Sequence, residues 1–166
     1  MLKPDAQFNK ITDISIEFLK SKNIKGLILD LDNTLIDTKH IFLDGIEEWV
    51  SMVKDADIKI CIATNSLKKE KIKELSGKLD IPYVYMSLKP LKRGLKKAIK
   101  ILQLKNTEIA EIGDQLFTDV LVSNRMKLFS ILTSPISEDR FKIDKLKRKI
   151  EKWVLSRTHT KEQEEV

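Results

Sequence analysis

Apolar positions along this chain alternate between two periods. Short, mainly apolar runs over 26–31, 58–63, 83–86, 109–112 and 128–132 predict five strands, the first of them of the type covered on both faces. Between them the spacing turns helical. Ile14, Phe18 and Leu19 mark a helix over 12–21, and Phe42, Ile46, Trp49, Val50 and Val53 one over 42–55. Ile72, Leu75 and Leu79 mark a third over 67–79, and Leu91, Leu95, Ala98, Ile99 and Leu102 a fourth led in by Pro90. Helices over 117–126 and 139–157 complete the set. Strands alternating with helices over the whole length predict an α/β fold, a five-stranded parallel sheet flanked by helices. A single domain over 1–157 is expected, followed by a polar tail, 158–166, expected to be disordered.

Composition narrows the picture. With 166 residues, 42% hydrophobic and 34% charged, the chain has the balance of a soluble globular domain. The wholly apolar runs are too short to span a membrane, and the first residues lack the apolar core of a secretory signal, so a cytoplasmic location is expected. One cysteine, Cys61, lies within a predicted strand and reads as a small core hydrophobe. His40 and His159 fit no zinc spacing, so any metal here is oxygen-bound. The net charge of +6 favours an anionic partner.

In parallel sheets, ligands sit at the carboxyl ends of the strands. The first strand delivers Asp30 and Asp32, two acids spaced so that an extended chain turns both to one side. Their repulsion can be relieved by a cation or by a proton held on one of them. The second strand ends in Thr64-Asn65-Ser66, the third runs out into Ser87-Leu88-Lys89-Pro90, and the fourth ends in Gly113-Asp114 with Asp119 close behind. Taken one at a time these are ordinary caps, turns and surface lysines. Independent caps and turns give no reason for successive strand ends to collect an acid pair, a hydroxyl, a lysine and a second acid pair.

Asp30-Leu31-Asp32-Asn33-Thr34, Thr64, Lys89 and Gly113-Asp114 through Asp119 together resemble the four motifs of the haloacid dehalogenase superfamily of phosphohydrolases. With Lys89-Pro90, the block Gly113–Val120 and Asn124-Arg125, the chain resembles the YqeG-type branch, related to mitochondrial phosphatidylglycerophosphatases. It departs from that pattern in having Thr64-Asn65-Ser66 for Ser-Asn-Asn and Val122-Ser123 where glycines usually stand. The resemblance implies a three-layer Rossmann-like fold and a Mg²⁺-dependent phosphomonoesterase. Asp30 would be the nucleophile and Asp32 the general acid and base. Thr64, Asn65 and Lys89 would bind phosphate. Asp30, the backbone carbonyl of Asp32 and Asp114 would hold Mg²⁺, with Asp119 either a further ligand or a support for one.

The intervals between motifs leave room for one helix and one strand each, so no cap domain is expected. An open site suits a macromolecular or membrane-embedded phosphoester, here phosphatidylglycerophosphate, better than a small metabolite; a neighbouring subunit could also shield it. The predicted last helix carries Arg140, Lys142, Lys145, Lys147, Arg148, Lys149, Lys152 and Arg157 against Asp139, Asp144 and Glu151. Its apolar stripe, Ile143, Leu146, Ile150, Trp153 and Val154, is expected to cover the sheet, while the basic face could meet anionic lipid on the inner face of a membrane. A soluble nucleotide, sugar phosphate or phosphoprotein is the alternative substrate. A non-catalytic basic module that binds RNA or membrane is the alternative of another class, and the sparse aromatic content, 6%, argues against nucleic-acid binding by stacking.

Overall fold

A computed structural model describes residues 2–137 and 148–156. A six-stranded, all-parallel sheet runs in the order β1-β6-β5-β2-β3-β4. Its strands are β1 (Ala6–Phe8), β2 (Gly26–Leu29), β3 (Lys59–Ala63), β4 (Tyr83–Val84), β5 (Ile109–Gly113) and β6 (Phe129–Thr133). The sixth strand corrects the expectation of five. Residues 6–8 are too short to show a period and become a strand only by pairing along β6, Ala6 opposite Ile131.

Helices α1 (Ile16–Ser21), α2 (Ile46–Asp55), α3 (Lys69–Leu79), α4 (Lys92–Leu102) and α5 (Leu121–Met126) cover the two faces. Leu27 and Leu29 of β2 pack on one face with Trp49, Val53, Ile72 and Leu75, while Ile28, between them, packs on the other with Leu95, Ala98, Leu102 and Val122. That division across one strand produces the unbroken apolar run, because successive side chains leave opposite faces of the sheet. The Trp49 indole is fully accommodated, its Nε1 donating to the carbonyl of Ile14 at 2.8 Å. No cap domain interrupts the described residues; between β2 and β3 lie only the turn that carries Asp30 and Asp32, a loop over 37–45, α2 and the short link 56–58.

Connectivity places the site. From β2 the chain first steps outward to β3 and β4, then returns to the other side of β2 for β5 and β6. The reversal falls between β2 and β5, opening a crevice at their carboxyl ends, the ends that carry Asp30 and Asp114.

The polypeptide over 148–156 is helical, and its inward residues are charged. Glu151 is only 5% exposed, whereas Ile150 and Trp153 are 45% and 54% exposed. Within these residues the expected burial of the apolar stripe is reversed, because Arg148 and Glu151 turn inward to the β5 loop. The rest of the predicted last helix, 139–147 and residue 157, and the tail 158–166 lie outside the described residues.

Candidate active site

Lys89 lies at the centre of the crevice, with its side chain 1% exposed. Its ammonium contacts Asp119 Oδ1 at 2.5 Å, Asp30 Oδ1 at 3.1 Å and Glu111 Oε1 at 3.4 Å. One cation thus joins three carboxylates from β2, β5 and the turn after β5. Burial alone would lower the Lys89 pKa, but Asp119, Asp30 and Glu111 reverse that and hold it well above the usual lysine value. The surrounding acids thus favour the charged form of Lys89.

The loop that delivers it is fastened from the side. Asn65 Oδ1 accepts from the Lys89 backbone N–H at 2.7 Å and from Ser87 Oγ at 2.9 Å, and its Nδ2 donates to the Lys89 carbonyl at 2.9 Å. The Asn65 amide is therefore committed to the position of Lys89. Gly94 makes the other side of this fit, since a Cβ there would lie 2.3 Å from the Ser87 carbonyl oxygen. Thr64, 1% exposed, accepts from the Ser66 backbone N–H at 3.1 Å, which leaves its hydroxyl hydrogen available to an anion.

Asp30 is buried, and burial pushes its pKa well up; Lys89 opposes that rise while Asp119 and Asp114 add to it. Asp32 stands further out, exposed at the mouth. Partial burial raises its pKa too, opposed by His40, Lys68 and Lys89. Burial rather than repulsion from Asp30 leads that rise.

Asp114 and Asp119 approach from the far wall. Burial raises Asp114 to about 6 against the lowering influence of Arg148, whose guanidinium pairs with its carboxylate and donates to its carbonyl at 2.5 Å. Asp119 Oδ2 accepts from the Gln115 backbone N–H at 3.0 Å, so a wide helical turn over Leu116–Val120 carries the carboxylate back over Gly113. Only glycine permits this return: a Cβ on Gly113 would lie 2.2 Å from Asp119 Cγ.

Asp30, Asp114 and Asp119 each offer an oxygen within 4.8 Å of the others, and Asp114 Oδ1 is buried without a hydrogen-bond donor. Three hard oxygen donors and an orphaned carboxylate oxygen fit a magnesium ion. The Asp32 side chain lies outside this cluster.

Sequence reasoning missed Glu111, Ser123 and Arg148. Glu111 is 1% exposed, accepts from Ser123 Oγ at 2.6 Å, and is raised by burial to about 8. An acid in the apolar run Ile109-Ala110-Glu111-Ile112 was the available signal, because a strand covered on both faces rarely holds one. Arg148 looked like one of many lysines and arginines on a basic helix.

A parallel α/β fold with a buried lysine amid aspartates at its switch point defines a phosphohydrolase of the haloacid dehalogenase type. Comparison with known proteins narrows this. Residues 1–137 match the family model described as mitochondrial PGP phosphatase. The chain is 35% identical over 154 residues to "Probable phosphatase YqeG" of Bacillus subtilis (strain 168), covering 92% of this chain and 89% of that protein. It is 26% identical over 156 residues to "Phosphatidylglycerophosphate phosphatase 1, chloroplastic/mitochondrial" of Arabidopsis thaliana, covering 87% of this chain and 45% of that protein. The cobalt-bound deoxy-D-mannose-octulosonate 8-phosphate phosphatase YrbI of Haemophilus influenzae shares the fold, with a TM-score of 0.56 at 19% identity over 69% of this chain and 70% of that one. The chain belongs to the mitochondrial PGP phosphatase family and is a phosphoric monoester hydrolase.

Proposed function

We propose that the protein hydrolyses a phosphomonoester through an aspartyl-phosphate on Asp30, and that its substrate is phosphatidylglycerophosphate, reached from the inner, cytoplasmic face of a membrane. The observation that carries the chemistry is the placing of Asp30 against Lys89 at 3.1 Å in a buried crevice, with Asp32 exposed two residues on. In the first step an Asp30 carboxylate oxygen bonds to phosphorus as the bond to the leaving alcohol breaks, and Asp32 gives its proton to the departing oxygen. In the second, Asp32 takes a proton from a water that attacks phosphorus, and the Asp30–phosphorus bond breaks to release phosphate. A raised Asp32 pKa serves both halves, since the same group must hold a proton and then accept one.

Lys89 and the Thr64 hydroxyl hold the non-bridging phosphoryl oxygens, and Asn65 serves phosphate binding by fixing the Lys89 backbone. Asp30, Asp114 and Asp119, with the backbone carbonyl of Asp32, would hold Mg²⁺. When bound, Mg²⁺ offsets the repulsion between an anionic nucleophile and an anionic substrate.

Two features support the lipid. The family model is described as a PGP phosphatase, and the Arabidopsis relative carries phosphatidylglycerophosphate in its name. In addition, a cavity of about 580 Å³ opens beside Asp114, with Arg148, Lys149 and Lys152 alongside Phe8, Leu132 and Leu155. Cations next to apolar walls suit a leaving group that bears a phosphodiester and acyl chains. The test is a panel of phosphatidylglycerophosphate in mixed micelles, nucleotides and sugar phosphates, assayed for phosphate release. A kcat/KM at least about 100-fold higher for the lipid supports the reading, and a preferred soluble phosphoester overturns it.

A further inference from the structure

Large apolar side chains are exposed unevenly. Met52 and Ile101 lie on helices, α2 and α4. Ile41, Leu67, Met86, Leu88 and Leu91, between 42% and 69% exposed, instead lie on the connections that follow β2, β3 and β4, all at the active-site end of the sheet.

Two of these connections form one surface. The Met86 backbone N–H donates to the Ser66 carbonyl at 3.0 Å and that of Ser87 to the Thr64 carbonyl at 2.9 Å, while the Asn65 side chain holds Lys89. The loop bearing Ile41 starts from the same end of the sheet: Ile36 bridges to Asp32 and to Phe42, and the Asp37 backbone N–H donates to the Ile41 carbonyl at 2.9 Å.

The pattern over 86–89 is inverted relative to a water-facing loop. Ser87 and Lys89 are 0% and 5% exposed, whereas Met86 and Leu88, alternating with them, are exposed. This arrangement requires left-handed backbone at two bulky residues, φ 48° at Met86 and 57° at Leu88, a conformation that non-glycine residues seldom adopt. Delivering Lys89 inward explains the buried polar residues. It does not explain why Met and Leu, rather than Asn or Gly, occupy the strained outward positions.

Charge identifies the partner. The segments 64–69 and 85–93 contain no acidic residue. Lys68, Lys69, Lys92 and Arg93 are all exposed among the apolar tips. Apolar side chains that can enter the acyl boundary, ringed by cations at headgroup level, match an anionic bilayer.

We infer that the β3–α3 and β4–α4 loops, with the Ile41 loop that follows Asp32, form a docking surface for an anionic lipid bilayer that seats the mouth of the active site directly on the membrane. This rests on the membrane reading above and assigns the contact to the rim of the site.

Cys61 makes the test clean, because it is fully buried and its thiol is pushed up to about 12 by that burial, so an introduced surface cysteine can be labelled selectively. Leu67→Cys, Leu88→Cys, Met52→Cys and Ile101→Cys, each verified by a cooperative melt, carry an environment-sensitive fluorophore and are mixed with phosphatidylglycerol or phosphatidylcholine vesicles. The expected result is a blue shift at positions 67 and 88 with phosphatidylglycerol only, and none at 52 or 101. Replacing Lys68 or Lys69 by Ser should weaken vesicle partitioning about 5-fold per charge. Unmoved probes at 67 and 88, or equal shifts at 52 and 101, overturn the proposal. So does a lipid-free shift that grows with protein concentration, which would assign the rim to a second copy of the chain. If phosphate release from a soluble aryl phosphate proceeds while the rim probes stay unmoved, the docking surface is refuted and the phosphatase chemistry stands.

Discussion

Gly113→Ala tests whether the turn after β5 carries the site. The added Cβ would lie 2.2 Å from both Cγ and Oδ2 of Asp119, and ordinary contact begins near 3.4 Å, so the carboxylate must retreat by about 1.2 Å. Its bond to Lys89 at 2.5 Å and its bond from the Gln115 N–H at 3.0 Å cannot both survive that displacement. Overpacking of this kind costs about 1–3 kcal/mol. In a chain of 166 residues that corresponds to a fall in Tm of about 3–9 °C. A misplacement near 1 Å at a reacting centre costs about 100-fold in rate. The control is the same substitution at Gly77, an exposed position in α3 with nothing within 4 Å of its Cβ, where Ala should stabilise by about 0.5–1 kcal/mol and leave kcat unchanged. Thermal melts and aryl phosphate hydrolysis measure both effects. A Gly113→Ala enzyme with kcat within about threefold of wild type and an unchanged Tm would refute the reasoning.

The other expectations concern the groups around Lys89 and Asp114. Glu111 has its pKa raised from 4.5 to about 8, so the folded state keeps a proton that the unfolded state gives up. Stability from this group is complete below 4.5 and is lost as pH rises through about 8. Glu111→Gln should remove that loss, shifting relative stability in the variant's favour by up to about 1.4 kcal/mol per pH unit across the window; parallel denaturant-derived pH profiles for the two proteins would contradict it. Asn65→Ala strands the Ser87 hydroxyl and both backbone groups of Lys89, and should cost about 1–3 kcal/mol together with at least about a 10-fold loss in kcat; a neutral variant would show that Lys89 is held by other means. Arg148→Ala frees the Asp114 carboxylate from a competing cation, so half-maximal activity should need several-fold less Mg²⁺; an unchanged titration would separate Arg148 from the metal site.

Much of this architecture was readable from periodicity. Mainly apolar runs identified the long strands because both faces are packed, and β2 shows both in its Leu27-Ile28-Leu29 alternation between cores. Residues 6–8 gave no such signal, since a three-residue edge strand owes its existence to β6. The predicted helix over 117–126 begins instead as a wide turn, Leu116–Val120, because Asp119 must fold back over Gly113 before α5 can start. Asp30, Lys89, Asp114 and Asp119 were each visible as strand-end residues, and the structure brings all four together. The commitment of Asn65 to the Lys89 loop was invisible, because a side-chain amide 24 residues away leaves no periodic trace. The inward face of the C-terminal helix was misread for a related reason. An apolar stripe normally marks the buried side, but here the pairing of Arg148 with Asp114 outweighs it and turns Ile150 and Trp153 outward.

Trapping the covalent intermediate tests the central claim most directly. Asp32→Asn leaves the nucleophile in place and removes the base for the second step, so phosphoenzyme should accumulate on mixing with an activated aryl phosphate. After acid quench and borohydride reduction, digestion and mass spectrometry should find homoserine at position 30, with none in an Asp30→Asn control that also releases no phosphate. Full turnover by Asp30→Asn, or a phosphoryl group trapped on any other residue, would contradict the account.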